Sequence, residues 1–547
     1  MDSTRTQVLV VGAGIAGAAT SMFLADRGID ALVVERHPGT SLHPKAGGQN
    51  PRTMELLRTA GVAEEVLAAN PFSAGDAFQI TIATSARGAV LKQIAAGDET
   101  RPWDALSPLP MGLATQVQME PIMLGRAREL GARVRFDTEL VSFEQDTLGV
   151  TARLVHRPTG TLSQVRADYL LAADGHRSPI RERLGIGRHG WGNLSHHAGI
   201  VFDTEPARLA DLAGSLYYLQ NPEFTGVFES THVPGRFIFT VEYDPARGES
   251  IDDFTPERCT ALIRLGLDDP DLKPDLRSVQ AWEMAARVAD TFRAGRVFLA
   301  GDAARVMPPT GGLGGNTAIA DGFDLAWKLA AVLRDQAGPG LLGSYDAERR
   351  PVAELVVAES LANYVDRMAP QLRTAALPEP LGYMEVVFGI RQRSEAVLVD
   401  DEDQASVEDP RRPSGRPGFR APHVPLRQGG TSVSTVDFFG RDWVLLTGTE
   451  GGVWHQAAKH VADRLGIVVR TVGLGPGLTD PDDRLVRAYG IGHGGASLVR
   501  PDGVVAWRTD FEVADAAGTL QTVLSRLLAR VPSWPQGIGA VPAGTAR

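Results

Sequence analysis

The sequence predicts a mixed α/β chain in three parts: a Rossmann-type dinucleotide domain, a β-sheet domain set into it, and a small α/β module after residue 425. Three observations predict this. Apolar, buried-type strands run straight into turns at Gly12-Ala13-Gly14-Ile15-Ala16-Gly17, at Asp174-Gly175 and at Gly301-Asp302. The stretches between them read as alternating strands, and a proline- and charge-rich segment at 400–425 sets off the last part. A length of 547 residues, 43% hydrophobic and 22% charged, suits about three globular domains.

The first unit is βαβ. Residues 8–11 form a β-branched and leucine run, 15–27 read as a helix ended by Gly28, and 31–34 as a second strand. Gly12 permits the tight turn, Gly14 with Ile15 and Ala16 exposes backbone to a pyrophosphate, and Gly17 brings helix and strand together. Glu35 stands eighteen residues after Gly17 at the end of the second strand, placed to accept from a ribose hydroxyl, with Arg36 beside it. A fingerprint of this kind does not separate NAD from FAD, so the later segments decide.

Those segments are the strands ending in Asp174-Gly175 and in Gly301-Asp302. An acid at a strand's carboxyl end sits where open α/β sheets bind ligands, and Asp302 could hold a ribityl hydroxyl. Beyond it Pro308 and the cluster Gly311, Gly312, Gly314, Gly315 leave backbone uncovered, and Asn316 or Thr317 is expected to cap a helix through Phe323 and Trp327. The positive end of that helix would face a flat, reducible group whose reduced form is an anion, which points to FAD.

Between these motifs the chain reads as sheet. Residues 78–84 have strand character, 215–220 and 224–228 flank an Asn221-Pro222 turn, and 236–242 put Phe237, Phe239 and Val241 on one face. Each aromatic taken singly reads as core. Together Phe78, Trp103, Tyr217, Phe228 and Phe239 are the candidate lining of a cavity against the flavin. After the linker, strands at 443–447, 467–472, 496–500 and 504–508 and helices at 453–465 and 515–528 make an α/β module.

Composition excludes several classes. A net charge of −11 repels nucleic acid and anionic membrane surfaces. A single cysteine, Cys259, excludes a disulfide framework, a thiolate metal site and a CxxC redox pair, so redox chemistry must come from a bound cofactor. The glycine-broken start is wrong for a signal peptide and no apolar run spans a bilayer, so a cytoplasmic protein is expected, a monomer or a homodimer.

Taken together, GxGxxG at 12–17, DGxxSxxR at 174–181, Gly301-Asp302 with its PPTGGxGGNT extension, and Tyr345-Asp346-Ala347-Glu348-Arg349-Arg350-Pro351 resemble the class A flavoprotein monooxygenases of the p-hydroxybenzoate hydroxylase type. The aromatic polyketide hydroxylases are the nearest subgroup. The resemblance spans about 8–357 and extends more loosely to the C-terminal module, which resembles the thioredoxin-like domain of phenol hydroxylases. It implies a discontinuous FAD domain (1–75, 102–185, 285–400), a substrate sheet domain (76–101, 186–284), a linker (401–425) and a thioredoxin-like domain without CxxC (426–547).

By position it implies that Glu35 binds the adenosine ribose, that Gln116 contacts the cofactor and that Asp302 binds the ribityl chain. Pro308 and the backbone of 311–316 would lie beside the isoalloxazine, and Asp174-Gly175 would serve both FAD and the nicotinamide donor; alternatively Asp174 and Arg181 pair to pin their turn. Lys45 replaces the arginine of a Pro-Arg-Ala segment, while Arg52-Thr53 is as the subgroup has it, and Arg305 stands where a histidine often follows. For a proton donor Arg373 is the one candidate, against its reading as a solvated arginine. The resemblance implies reduction of FAD by NADPH or NADH, reaction with O2 to a C4a-hydroperoxide, and oxygen transfer to a polycyclic aromatic polyketide in antibiotic biosynthesis. Its rivals are a Baeyer–Villiger or ring-rearranging oxidation, an antibiotic-inactivating hydroxylation, and, from another class, a flavoprotein that binds an intermediate or partner without oxidising it. A flavin halogenase is disfavoured, since no WxWxIP segment occurs.

Overall fold

The structure is a computed structural model that describes residues 3–42, 47–70, 79–95, 103–399, 404–480 and 482–530. Lys45 and Phe78 lie outside them.

Ser3–Val11 pairs in parallel with Ala31–Val34 on one side and Thr161–Ala172 on the other. Val297–Leu299 and Arg133–Arg135 extend the sheet in parallel at either flank. Val8, Leu9, Val10, Leu32, Val33, Leu170, Leu171 and Phe298 are fully buried, which is why these strands are apolar without alternation. Each such side chain contributes about 1.5–3 kcal/mol of burial. The fingerprint helix Ile15–Asp26 gives way to Gly28 at φ +66° and packs on the helix Leu313–Leu333, with Phe23 edge-on to Phe323 at 4.8 Å. The latter helix begins at Leu313, with Gly312 as its left-handed cap, four or five residues before the cap expected at Asn316 or Thr317. The positive φ of Gly312 lets the chain turn into the helix without a polar side-chain cap, a signal that a search for Asn or Thr misses.

The second sheet has eight strands, and its centre runs in the order Asp275–Ala289, Arg188–Asp203, Arg236–Tyr243, Phe224–Ser230, Ser215–Asn221 and Gln79–Ala83. The hairpin and the 237/239/241 face form as expected. Registers Tyr217↔Phe228 and Phe228↔Phe239 put those three rings on one face, where they join Phe202, Phe237, Cys259 and Ile263 in a separate core closed by the helix Pro256–Leu267. The opposite face carries Tyr218, Val227 and Leu216 and packs toward the dinucleotide domain.

The C-terminal module is a four-stranded sheet in the order Val469–Gly473, Trp443–Thr447, Ala496–Val499, Val505–Thr509, with helices Gly452–Leu465 and Ala516–Leu527. The described part of the proline-rich linker is pinned, with bridges Ile390↔Val407 and Arg420↔Val504 and with Phe419 fully buried. Proline and charge announce a lack of regular structure there, which is not a lack of contacts. Among the described residues no helix is long and apolar enough to cross a membrane.

Candidate active site

A cleft opens where the fingerprint meets the glycine loop. Ile15, Gln116, Gly312, Gly315 and Asn316 line it, all expected at the cofactor, together with Gly48, Gln49, Met119 and Ile319. The glycines divide into two kinds. A Cβ on Gly12 would stand 2.1 Å from the Ala173 carbonyl oxygen and one on Gly17 1.9 Å from that of Gly12, so both serve chain packing. A Cβ on Gly47, Gly175 or Gly312 would meet nothing within 4 Å, and one on Gly14 only Glu120 Oε1 at 3.7 Å, so these positions leave backbone free for a ligand. Gly301, at φ +60°, presses against Ala16 and ties the third motif to the first.

Glu35 ends its strand as expected; its carboxylate accepts from Ala13 N–H at 2.9 Å and from His37. Arg36 is exposed beyond it. Gln116 follows the cap Thr115 and donates to Glu120 at 2.6 Å. Asp302 is exposed on the 301–303 turn, and Pro308 is buried where the loop toward Gly311 begins. Asn316 is a cross-link rather than a cap: its Oδ1 accepts from Asn50 N–H at 2.9 Å, and its Nδ2 donates to Gly312 O at 2.7 Å and Gly48 O at 3.2 Å.

Three residues depart from expectation. Asp174 accepts from Ser178 Oγ at 2.6 Å and Ile180 N–H at 3.1 Å, so it pins its turn, while Arg181 bonds the carbonyls of His176 and Arg177 and Glu182. Burial holds the Asp174 carboxyl above its ordinary range despite these donors. Arg305 turns inward to Asp321, which Arg349 also holds at 2.8 Å, so the departure from histidine is absorbed in a buried ion pair beneath the loop. Arg52 pairs with Glu55 at 2.8 Å and donates to the Asp502 carbonyl, which aims it at the C-terminal module and not at the cleft.

On the other side of the glycine loop Gly311 and Leu313 share a second cavity with Asn363, Arg367, Glu359 and Tyr383. Arg373 is not in it; it forms surface pairs with Asp366 and, at 3.7 Å, with Glu379. The arginine that enters is Arg367, whose guanidinium lies 5.7 Å over the Tyr218 ring and 3.4 Å from its hydroxyl. Burial pushes the Tyr218 hydroxyl up and Arg367 pulls it back only in part. On the same sheet face His197 stacks on Trp282 at 4.5 Å and contacts Ser195 Oγ at 2.7 Å, which contacts Tyr364 OH at 3.1 Å. Burial lowers His197 to about 4, so the ring is neutral. The expected aromatic lining is therefore one residue out of register: Tyr217, Phe228 and Phe239 are core, and Tyr218 faces the dinucleotide domain. Trp103 stands in a turn, its carbonyl accepting from the Leu106 and Ser107 N–H groups. Tyr218 and Arg367 were missed because aromaticity alone carries no face; the parity of the strand does.

Two family models match in tandem, the FAD binding domain over residues 5–360 and the aromatic-ring hydroxylase C-terminal domain over 414–531. The chain belongs to the FAD-binding aromatic-ring hydroxylase family. The hydroxylase is 52% identical over 545 residues to the aklavinone 12-hydroxylase of Streptomyces purpurascens, covering 97% of this chain and 100% of that one. It is 38% identical to the tetracenomycin A2 monooxygenase-dioxygenase of Streptomyces glaucescens, over 98% of this chain and 99% of the other. Among solved structures, a ternary complex of aklavinone-11 hydroxylase with FAD and aklavinone matches with a TM-score of 0.93 at 52% identity, covering 97% and 100% of the two chains. The flavin-dependent monooxygenase PieE with FAD and substrate matches with a TM-score of 0.86 at 32% identity, covering 96% and 99%. The hydroxylase is thus an FAD enzyme, and the open glycine backbone of its cleft fits that cofactor.

Proposed function

We propose that the hydroxylase consumes NADPH or NADH and inserts one O2-derived oxygen into a phenolic ring of a polycyclic aromatic polyketide, as a step of antibiotic biosynthesis. The observation that carries this is the double-sided loop: Gly312, Gly315 and Asn316 line the cofactor cleft while Gly311 and Leu313 line the cavity behind it. The two cavities share this one loop, so a ring held in the second lies beside the cofactor site. The aklavinone hydroxylases and the tetracenomycin enzyme, relatives along their whole length, support the polycyclic class.

Bound FAD supplies the redox chemistry, taking a hydride from the nicotinamide and activating O2. The chain does the rest. The Leu313–Leu333 helix turns its N-terminal end toward the cleft and stabilises negative charge there. Arg367 brings a positive charge to the substrate cavity, suited to an ionising phenol, with Tyr218 held beneath it as a hydroxyl to bond the same oxygen. The apolar sheet face around Val227 and Leu216 excludes water. Glu35, Arg36, Gln116, Asp302, Pro308 and the Gly311–Asn316 backbone are assigned to FAD. The four-stranded C-terminal sheet is read as thioredoxin-like in topology.

The test is aerobic NADPH and NADH oxidation by the FAD-loaded protein against a panel of polycyclic phenols and quinones, with product mass after labelling with heavy O2. Stimulation by one compound with a single labelled oxygen in its product supports the proposal, and product structure separates hydroxylation from ring insertion. A tightly bound compound that stimulates neither nicotinamide and gives no product overturns it.

A further inference from the structure

The C-terminal module has no cysteine, yet one of its turns is tied by buried ionic bonds to the dinucleotide domain. That turn, residues 500–503, reaches the helices Pro51–Thr59 and Leu313–Leu333 at once, and through Glu348 a third, Gly343–Arg367. On one side the Asp502 carbonyl accepts from Arg52, in the first turn of the helix Pro51–Thr59, and a Cβ on Gly503 would stand 3.4 Å from the Arg52 guanidinium. Arg52 is bonded to Glu55, which is buried and accepts also from Ser107 Oγ at 2.8 Å and from Arg420 at 3.1 Å and by a second, shorter bond. Burial would raise the Glu55 carboxyl, but Arg420 and Arg52 outweigh it and hold it below its ordinary range. Arg420 itself lies in the segment that bridges to Val504.

On the other side Arg500, fully buried, bonds Glu348 at 2.6 and 2.9 Å and Asp502 at 2.5 Å, and lies 5.3 Å over Trp327 of the Leu313–Leu333 helix. Lys328 of the same helix bonds Asp324 and Glu348, each at 2.8 Å. The three carboxylates converge, and each is already paired with Arg500 or Lys328, so the cluster is an ionic joint and not a cation site.

The two helices gripped in this way meet again at the cofactor cleft. Asn50 caps the first by accepting from Thr53 N–H at 2.8 Å, and its own N–H donates to Asn316 Oδ1 in the first turns of the second. Arg52 is two residues from that contact, and Trp327 is about 16 Å from it along its helix.

We propose that the 500–503 turn, with Arg420 and Glu55, is a positioning device for the flavin: it fixes the separation of the two helix N-termini whose backbone, at 47–50 and 311–316, faces the cofactor. The proposal rests on the assignment of those segments to FAD. It gives the C-terminal module a role in the reaction with no thiol chemistry, and it predicts that Arg420, remote in sequence from every nucleotide motif, controls cofactor affinity.

The experiment compares Arg420→Met, Arg420→Lys and Glu55→Gln with Arg236→Met, which breaks the Arg236–Asp203 pair in the substrate sheet. FAD affinity of the deflavinated proteins, the visible spectrum and midpoint potential of the bound flavin, and thermal stability are all measured. The expected result is FAD binding weakened about tenfold in Arg420→Met, with a shifted spectrum, an intermediate value for Arg420→Lys because a point charge replaces a fork, and no change in affinity for Arg236→Met. If Arg420→Met does not fold, the graded Lys and Gln variants carry the comparison. Unchanged FAD affinity, spectrum and potential in the Arg420 and Glu55 variants overturn the proposal. Asn316→Ala locates that failure: if it weakens FAD the cleft assignment stands alone, and if it does not, both fall.

Discussion

Asn316 Oδ1 accepts the backbone N–H of Asn50 at 2.9 Å, a bond between helix N-termini that lie 266 residues apart in the chain. The same side chain donates to the carbonyls of Gly48 and Gly312, so one amide uses both its ends to close the loop around the cleft. Asn316→Asp keeps the acceptor and turns the donor into a second acceptor facing two carbonyls. The expected cost is about 2 kcal/mol of stability, read by urea denaturation, with FAD affinity reduced in parallel. An Asp variant as stable as the parent and equally able to hold FAD would refute the cross-link.

Gly14 and Gly17 differ in what an added methyl would strike. At Gly17 it stands 1.9 Å from the Gly12 carbonyl oxygen, and backbone must move, costing about 1–3 kcal/mol or more. At Gly14 the nearest atom is 3.7 Å away and φ is −68°, which alanine adopts freely. Gly14→Ala is therefore expected to leave stability within about 0.5 kcal/mol while lowering FAD affinity, because the space it fills belongs to the ligand. Gly17→Ala lowers both. Equal effects at the two positions, by thermal unfolding and fluorescence titration, would refute this division.

Much of this cleft was legible in the sequence because backbone makes it. Fingerprint strands, the acid at 35 and the glycine loop at 311–315 are spelled by residue types that only such turns require, and they fall together in space. The substrate side is made by side chains on a pleated sheet, where a one-residue error changes the face. Tyr217 and Tyr218 are adjacent and both aromatic, yet one belongs to the core closed by Pro256–Leu267 and the other sits under Arg367. Arg52 illustrates a third case. Its neighbours in sequence point to the flavin, but beside Glu55 on its own helix it bonds the Asp502 carbonyl, 450 residues away in a module that local pattern does not register.

Asp324 carries a pH dependence. Burial pushes its carboxyl up to about 6, further than Lys328 and Arg500 pull it down, so folded protein binds a proton that unfolded chain releases nearer 3.8. Stability from this group is fully present below pH 3.8 and is lost as pH rises through about 6. Asp324→Asn removes the titration while keeping an oxygen for Lys328. The variant is expected to exceed the parent by about 1–3 kcal/mol at pH 8, with the advantage vanishing near pH 4, opposite in sign to the acid loss contributed by Glu348 and Asp502, whose carboxyls are held low. Urea denaturation at both pH values decides it; an equal difference at each would leave the shift without consequence.

Glu229 gives the last prediction. It stands directly across from Leu216 and Ile238, on the face that carries Tyr218, within the roughly 7–8 Å diagonal reach of that ring. Burial alone pushes its carboxyl to about 7. The titratable group that feels its charge is Tyr218, which itself lies under Arg367 of the 343–367 helix. A carboxyl of this kind suits acceptance of a phenolic proton, which leaves the ring electron-rich for oxygen transfer. With a phenolic substrate, the rate is expected to rise with pH through about 7 as Glu229 ionises, and Glu229→Gln should lose that limb and about a hundredfold in turnover. Binding of the phenol under anaerobic conditions supplies an independent reading: a carboxylate at 229 repels a bound phenolate, so phenolate absorbance should appear at lower pH in Glu229→Gln than in the parent, with Glu229→Asp close to the parent. The same midpoint in all three would assign the proton to another group, with Tyr218 beside Arg367 the next to vary.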